Sequence, residues 1–143
     1  MSLLHNPTYT FDYDEEDDRL GLQELRWSQF MCKCGRCDVK SGKNYMERLP
    51  VLILDDVSRE ERGSRMDIEL GYVCKWSADN IHMLPSKDPH RVGLAIKIRV
   101  INPMKRLKIV RGLILRSVTR IALSQNSLYF DTDDLKGMAL YLR

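Results

Sequence analysis

Acidic residues are absent from a long central segment of the sequence. No Asp or Glu occurs from Pro89 to Phe130. Nine basic residues lie in that segment: Arg91, Lys97, Arg99, Lys105, Arg106, Lys108, Arg111, Arg116 and Arg120. The acidic residues cluster instead in DYDEEDD, from Asp12 to Asp18. This segregation, hidden behind a net charge of +3, predicts that the two regions attract each other or that each contacts a different partner.

Long apolar runs are also lacking. No stretch approaches the roughly 20 residues that a bilayer-spanning helix needs, and residues 1–10 are too polar for a signal peptide. We therefore expect a soluble chain with no membrane partner, made in a reducing compartment. In such a compartment the four cysteines are expected to be thiols or metal ligands rather than disulfides.

The length and composition indicate one domain with an appendage. A chain of 143 residues with 43% apolar residues can form a single ordinary core. Residues 1–21 carry the acidic run and few aliphatic side chains, so we expect an acidic N-terminal arm that cannot order itself alone. If the arm is ordered, a partner chain is the simplest explanation. Residues 22–143 are expected to form the domain.

The apolar pattern predicts an α+β fold with a small, mostly antiparallel sheet and flanking helices. From Val92 to Val100 apolar residues alternate, which is typical of a strand. Asn102 and Pro103 predict a helix start. Pro50 argues against one continuous helix over residues 45–57. Further strands are predicted at residues 67–74, 120–123, 127–132 and 138–142.

The predicted helix after Pro103 carries apolar residues at helical spacing. We expect this face to pack on the core and the basic residues to lie largely on the other side. The apolar set is Met104, Leu107, Val110, Ile114 and Val118. Together with the preceding strand, the helix predicts a basic binding surface formed by Arg99, Lys105, Arg106, Lys108 and Arg111.

The cysteines form a separate group. Cys32, Cys34 and Cys37 lie in CKCGRC, and Cys74 follows much later in the chain. Four thiolates suffice for a tetrahedral structural zinc. The spacing is unusual for a zinc ribbon, so we favour buried thiols that brace the turn at residues 71–72. We expect no catalytic cofactor and keep a structural zinc at the four cysteines as the alternative.

Four segments occur in an order that resembles a known family: FMCKCGRC, ELGYVC, DPHRVGLAIKIRV and TRIALSQNSLYFDTD. They are similar to the zinc D,D-peptidases, which include D-alanyl-D-alanine carboxypeptidases and phage endolysins, and in particular to short phage-type members that begin with F-x-C-x-C-G-x-C. The resemblance covers residues 30–133, about three quarters of the chain. It implies a peptidase-like fold and a site built around one strand.

Two of the three zinc-ligand positions that the resemblance implies are replaced. His90 stands where the motif S-x-H-x-x-G-x-A-x-D has its histidine, but Lys97 stands at its aspartate and Tyr129 at the histidine of the late strand. A charged lysine has no lone pair to donate to a metal. We expect the hydrolytic activity to be lost. Two alternatives stay open for Lys97: its ammonium replaces the metal by pairing with Asp131, or it points to solvent from a strand edge.

Three functions follow as alternatives. The first is an inactive structural or binding protein in a phage virion, such as a capsid, tail or baseplate subunit, made in the host cytoplasm and contacting other subunits or copies of itself. Binding to peptidoglycan without cleavage stays open. The second is a zinc peptidase with unconventional ligands, for which His82 could join His90 and Asp131, and Asp131 or Asp133 could act as base. The third, nucleic-acid binding, is disfavoured because few aromatic residues accompany the basic ones.

Overall fold

A computed structural model of the chain describes residues 11–12, 19, 21–37, 43–44, 46–61 and 65–135. The strands and helices in these residues are β1 (Phe11–Asp12), β2 (Lys43–Asn44), α1 (Arg48–Glu60), β3 (Asp67–Leu70), α2 (Lys75–Asn80), β4 (Ala95–Arg99), α3 (Pro103–Leu115), β5 (Arg120–Leu123) and β6 (Ser127–Asp131). The 3-10 helices Trp27–Phe30 and Pro89–Val92 accompany them. The prediction of an α+β fold with a small antiparallel sheet is confirmed.

The main sheet has four strands in the order β3-β4-β6-β5, and each neighbouring pair is antiparallel. Lys97 lies opposite Tyr129, and Ala95 lies opposite Asp131. Arg120 lies opposite Asp131 from the other side. Directly opposite residues in antiparallel strands point to the same face. The register therefore gathers Lys97, Tyr129, Asp131 and Arg120 on one face of the sheet.

The other face of the sheet forms the core. Ile96, Ile98, Leu128 and Phe130 are almost completely buried there. They belong to one apolar cluster with residues of α1 and α3. The predicted alternation in this strand is confirmed from residue 94 onwards, whereas Val92 is exposed because it belongs to the preceding 3-10 helix.

Pro50 lies in the first turn of helix α1, and no single helix covers residues 45–57, as expected. The helix runs from Arg48 to Glu60, so Pro50 is its third residue. The first four backbone N–H groups of a helix have no partner within the helix, so a proline there removes no hydrogen bond. The helix continues through a series of buried apolar side chains that includes Val51, Leu54 and Val57.

Helix α3 begins as predicted, but it buries a different face. The Asn102 side chain accepts hydrogen bonds from the backbone amides of Met104 and Lys105 and so caps the helix. The buried residues of the helix are Ile109, Gly112 and Leu113. Of the predicted apolar set, Met104, Leu107 and Ile114 are exposed, so that part of the prediction is wrong. Val110 packs partly against the core, and Val118, after the end of the helix, is buried in it.

The contact with α1 explains the rotation of α3. A Cβ at Gly112 would lie 3.0 Å from a methyl carbon of Val57, so the missing side chain allows α3 to approach α1 closely. On this side Arg116 forms ion pairs with Asp56 and Glu60 of α1. The helix contains two apolar stripes, and the stripe next to Gly112 is the one that faces the core.

Other predicted elements differ or fall outside the described residues. Between β3 and β4 the chain forms α2 and the second of these 3-10 helices. The predicted strand at 138–142 and most of the N-terminal arm lie outside the described residues, although β1 pairs with β2. Among the described helices, none has the length and apolar character needed to cross a membrane.

Asp55 attaches the segment before the first 3-10 helix to α1. This carboxylate is 6% exposed and accepts hydrogen bonds from three consecutive backbone amides. The donors are Gln23 at 3.0 Å, Glu24 at 2.9 Å and Leu25 at 2.8 Å. Buried backbone N–H groups need a hydrogen-bond acceptor, and the Asp55 carboxylate is the acceptor for all three. This attachment holds Leu25 and Trp27 in the core.

Replacement of Asp55 by alanine should therefore be strongly destabilising. Asp55→Ala leaves three amides without their acceptor, and we expect the free energy of unfolding to fall by about 3 kcal/mol. Urea denaturation followed by tryptophan fluorescence measures this change. The exposed Asp67 serves as the matched control, since Asp67→Ala should change stability by about 0.5 kcal/mol or less. Equal effects of the two substitutions would contradict the role assigned to Asp55.

Candidate functional site

Two separate chain segments contribute the four cysteines. Cys32, Cys34 and Cys37 follow the first 3-10 helix, and Gly35 between them has φ of +75°, which a residue with a side chain rarely adopts. Cys74 caps the start of α2. The tight turn at Gly35 brings the three nearby thiols around to face the fourth.

The four sulfur atoms form a compact group. Every pair of these atoms lies within 4.8 Å, and the Cys34 and Cys74 sulfurs are 3.4 Å apart. With Zn–S bonds of about 2.3 Å, the sulfurs of a tetrahedral zinc site lie about 3.8 Å apart. The observed spacing therefore fits a metal ion held by four cysteines after only small side-chain adjustments. The prediction of a possible metal site at these residues is confirmed at the level of geometry.

Backbone amides donate hydrogen bonds to three of the sulfurs. The amide of Arg36 lies 3.3 Å from the Cys34 sulfur, that of Cys74 lies 3.4 Å from the Cys32 sulfur, and that of Ser77 lies 3.5 Å from the Cys74 sulfur. Such donors stabilise thiolates and orient metal ligands. Backbone contacts therefore hold three of the four sulfurs in place.

Ionisation differs within the group. Burial raises the pKa of Cys32 well above its ordinary value, because burial disfavours a charged sulfur. Burial also opposes ionisation of Cys34, but the hydrogen bonds from the Arg36 amide and the neighbouring thiols outweigh it and lower the pKa to about 6. One thiolate is therefore available near neutral pH without a metal, while a buried thiol such as Cys32 ionises readily only when a cation compensates its charge.

Arg36 and Trp76 connect the two segments from outside. The Arg36 guanidinium lies 4.3 Å from the centre of the Trp76 ring, in a cation–π contact. Arg36 belongs to the turn between Cys34 and Cys37, and Trp76 belongs to α2. This contact, like the sulfur group, therefore joins the turn at Gly35 to α2.

His90 stands at the ligand position that the resemblance implies, and it is buried. Its Nδ1 lies 2.8 Å from the carbonyl oxygen of Gly71. Because a carbonyl can only accept, Nδ1 carries the proton and Nε2 carries the lone pair. The ring makes an edge-to-face contact with Tyr129 at 5.5 Å between centroids. The second ring nitrogen is thus the only one with ligand character.

Asp131 is fully buried and both of its oxygens accept hydrogen bonds. Oδ1 accepts from Nε of Arg120 at 2.7 Å and from the Asp133 amide at 3.1 Å. Oδ2 accepts from the Tyr129 hydroxyl at 2.6 Å. Burial and this bond to Asp131 raise the pKa of Tyr129 well above its ordinary value, so the hydroxyl stays protonated. The structure therefore brings His90, Tyr129 and Asp131 together as predicted.

The prediction that Lys97 pairs with Asp131 is wrong. Its ammonium lies 3.4 Å from the Glu69 carboxylate, and both side chains are well exposed. The cation that pairs with Asp131 is Arg120, which reaches it from β5. The register explains the difference, because Arg120 lies directly opposite Asp131 whereas Lys97 lies opposite Tyr129.

His82 does not complete a metal site with His90 and Asp131. Within the described ranges, the four cysteines are the one group of His, Cys, Asp and Glu side chains close enough to share an ion. His82 instead lines a cleft of about 270 Å³ between the cysteine group and the sheet, together with Cys34, Glu69 and Tyr72.

The predicted basic surface is only partly available. Arg99, Lys108 and Arg111 are exposed. Arg106 donates to the backbone carbonyls of Ser124 and Val100, at 2.6 and 3.2 Å, so this guanidinium ties α3 to the loop after β5. Lys105 likewise donates to a backbone carbonyl.

Sequence reasoning missed Arg120 as the partner of Asp131. It was only one of nine basic residues in an acid-free segment, and nothing in its spacing distinguished it. The pairing of β5 with β6 supplies the missing information.

No protein-family model, no curated protein and no solved structure matches this chain. The roles assigned to its residues therefore depend on this geometry and on the resemblance.

Replacement of Arg120 should be more damaging than replacement of Lys97. Arg120→Gln leaves the buried Asp131 carboxylate without its cation, which is costly, whereas the Lys97 pair is exposed and contributes little. Urea midpoints of the two variants, measured in parallel, test this order. A larger loss for Lys97→Gln would return the metal-replacing role to Lys97.

The burial of His90 predicts a loss of stability in mild acid. Burial lowers the pKa of His90 below its ordinary value of about 6.5, although the Gly71 hydrogen bond and the Asp88 charge act in the opposite direction. The unfolded chain therefore takes up a proton at a higher pH than the folded chain. The free energy of unfolding should therefore fall as the pH is lowered from 7.5 to 5.5.

Two glutamine variants assign this pH dependence to a residue. In His90→Gln the amide can still donate to the Gly71 carbonyl, and we expect a flatter dependence of the urea midpoint on pH. His82 is exposed, so His82→Gln should retain the slope of the parent. If all three proteins lose stability equally, the acid sensitivity arises elsewhere.

Proposed function

We propose that this chain is a non-hydrolytic structural or binding protein with a D,D-peptidase-like fold, stabilised by a zinc ion at Cys32, Cys34, Cys37 and Cys74. Its place is in a phage virion, as a capsid, tail or baseplate component that contacts other subunits. The alternative is a zinc-dependent peptidoglycan D,D-peptidase with unconventional ligands.

The observation that carries the proposal is that both carboxylate oxygens of Asp131 already accept hydrogen bonds from the protein. Its oxygens accept from Arg120, Tyr129 and a backbone amide, so the guanidinium supplies a positive charge beside the position where the family keeps its zinc. A hydrolytic zinc needs three neutral or anionic ligands and an open position for water. His90 alone cannot supply that set, and the neighbouring Tyr129 holds its proton.

The cysteine group supports a metal with a structural role. Two of the four cysteines are buried and two are half-buried. The protein would supply all four ligands of the metal, which is typical of a structural site with no position for a reactive water. A zinc there would join the turn at Gly35 to the start of α2. It would also hold the Gly71 carbonyl near His90, because Gly71 lies three residues before Cys74.

Support for a virion component comes from the resemblance to short phage-type members and from the charge segregation of the chain. An acidic segment and an exposed basic group, Arg99, Lys108 and Arg111, suit contacts between subunits. Mass spectrometry of purified particles of the virus that encodes the chain tests this assignment. Failure to detect the chain in particles would remove the virion role and leave the zinc site unaffected.

Metal content distinguishes the two candidate functions. We expect one zinc per chain in the parent after washing with a weak chelator. The Cys74→Ser variant should lose this zinc, because only three of the four thiolate ligands remain. A strong chelator should lower the midpoint of thermal unfolding by about 10 °C, since the metal contributes directly to folding.

Matched variants complete the measurement. Ser77→Ala, in the same helix as the Cys74 cap, and His90→Ala should both retain zinc. None of these proteins should cleave peptidoglycan cross-bridge peptides when zinc is supplied. Zinc that is lost with His90→Ala and retained with Cys74→Ser, together with cleavage by the parent, would establish the peptidase instead.

A further inference from the structure

Every exposed side chain of helix α3 is apolar or basic. After the first residue, Pro103, the exposed residues are Met104, Leu107, Lys108, Arg111, Ile114 and Leu115. The four large apolar side chains among them are between 58% and 66% exposed. Large apolar side chains that lie together on a surface commonly mark an interaction site. We refer to these six residues as the outer arc of α3.

Helical spacing places the outer arc on one side of α3. At 3.6 residues per turn, the six residues lie within about 120° around the helix axis and along about 16 Å of its length. Ile109 and Leu113, which are buried in the core, lie on the opposite side. The outer arc is therefore the ridge of a helix whose other side is fixed to the protein.

The outer arc carries positive charge that the protein does not balance. Neither Lys108 nor Arg111 forms an ion pair with the part of the chain that the structure describes. Asp56 and Glu60 pair with Arg116 on the side of the helix that faces α1. An anionic partner would therefore meet two free cations on the outer arc, and no acidic side chain of α3 would repel it.

The mixture of apolar and basic groups selects among the possible partners. A second copy packed through the same arc would bring four cations together, two from each chain, and like charges oppose association. A nucleic acid would pair with the cations, but its phosphates would leave the four apolar side chains without a favourable contact. An anionic lipid surface offers phosphate groups to the cations and, below them, acyl chains to the apolar side chains.

We propose that the outer arc of α3 binds the surface of an anionic lipid bilayer, with the helix lying in the plane of that surface. The ammonium of Lys108 and the guanidinium of Arg111 pair with headgroup phosphates, while their methylene groups lie along the apolar side chains. Ile101, just before the helix, is also exposed and extends the apolar contact.

This surface role differs from a membrane-spanning one. The sequence-based expectation of no membrane partner rests on the lack of a long apolar run, whereas α3 has 13 residues and would lie on the bilayer. The proposal depends neither on the zinc site nor on the virion role, so each can fail without the other.

Sedimentation with lipid vesicles tests the proposal on the full chain. Vesicles made of phosphatidylglycerol and phosphatidylcholine in equal parts should bind the parent about tenfold or more tightly than vesicles of phosphatidylcholine alone. Binding to the anionic vesicles should also weaken as the salt concentration rises. Equal binding to both kinds of vesicle, or binding to neither, would overturn the proposal.

Apolar substitutions separate insertion from simple charge attraction. The double variant Leu107→Gln, Ile114→Gln should bind the anionic vesicles about tenfold more weakly, because two apolar side chains no longer enter the bilayer. Ile81→Gln replaces an apolar residue outside α3 that is 54% exposed and should bind like the parent. Since all three positions are exposed, urea midpoints should match that of the parent. An equal loss in the control and the double variant would contradict the role of the arc.

Charge substitutions test the other half of the contact. Lys108→Gln and Arg111→Gln should each weaken binding to the anionic vesicles by about fivefold. Lys87, which is exposed outside α3, supplies the matched control, and Lys87→Gln should leave binding unchanged. If removal of any one of the three cations weakens binding equally, attraction depends on net charge alone and the outer arc is not the binding surface.

The same proteins reveal the other possible occupants. Without lipid, the parent and the double variant should have the same mass in sedimentation equilibrium. A dimer of the parent that the double variant abolishes would show that a second copy covers the arc, and would overturn the proposal. Binding to duplex DNA instead of vesicles, lost in Arg111→Gln, would assign the cations to nucleic acid and would overturn it as well.

Discussion

The antiparallel pairing of β4 with β6 is the constraint on which the rest of the structure depends. It places Ile96, Ile98, Leu128 and Phe130 on one face, where they form the core with α1 and α3. The same five-residue register places Tyr129 and Asp131 on the opposite face, beside His90. Because side chains alternate along a strand, a slip of one residue would exchange the core with the site.

The site on the outer face is held together by a buried anion. Asp131 has no exposure, and such a carboxylate persists only with a cation and hydrogen bonds around it. Arg120 and Tyr129 supply them from the neighbouring strand and from the same strand. The guanidinium thus balances the negative charge of the carboxylate.

The cysteine group and Asp55 solve a related problem for the segment that precedes α1. The segment from residue 21 to 37 contains little regular structure, so its backbone depends on side chains elsewhere in the chain. Asp55 accepts hydrogen bonds from three backbone amides of this segment. The Cys74 sulfur lies close to the three thiols of the segment. These two attachments keep Trp27 and Phe30 in the core without a disulfide.

The sequence by itself determined the elements with local signals: the alternating strand up to Val100, the helix cap at Asn102 and the clustering of thiols in CKCGRC. It could not determine which stripe of α3 faces inward, because two apolar stripes were present and only the close approach at Gly112 selected one. It also could not identify Arg120 as the partner of Asp131. Ion pairing depends on which residues lie opposite each other across strands, and that register exists only in the tertiary structure.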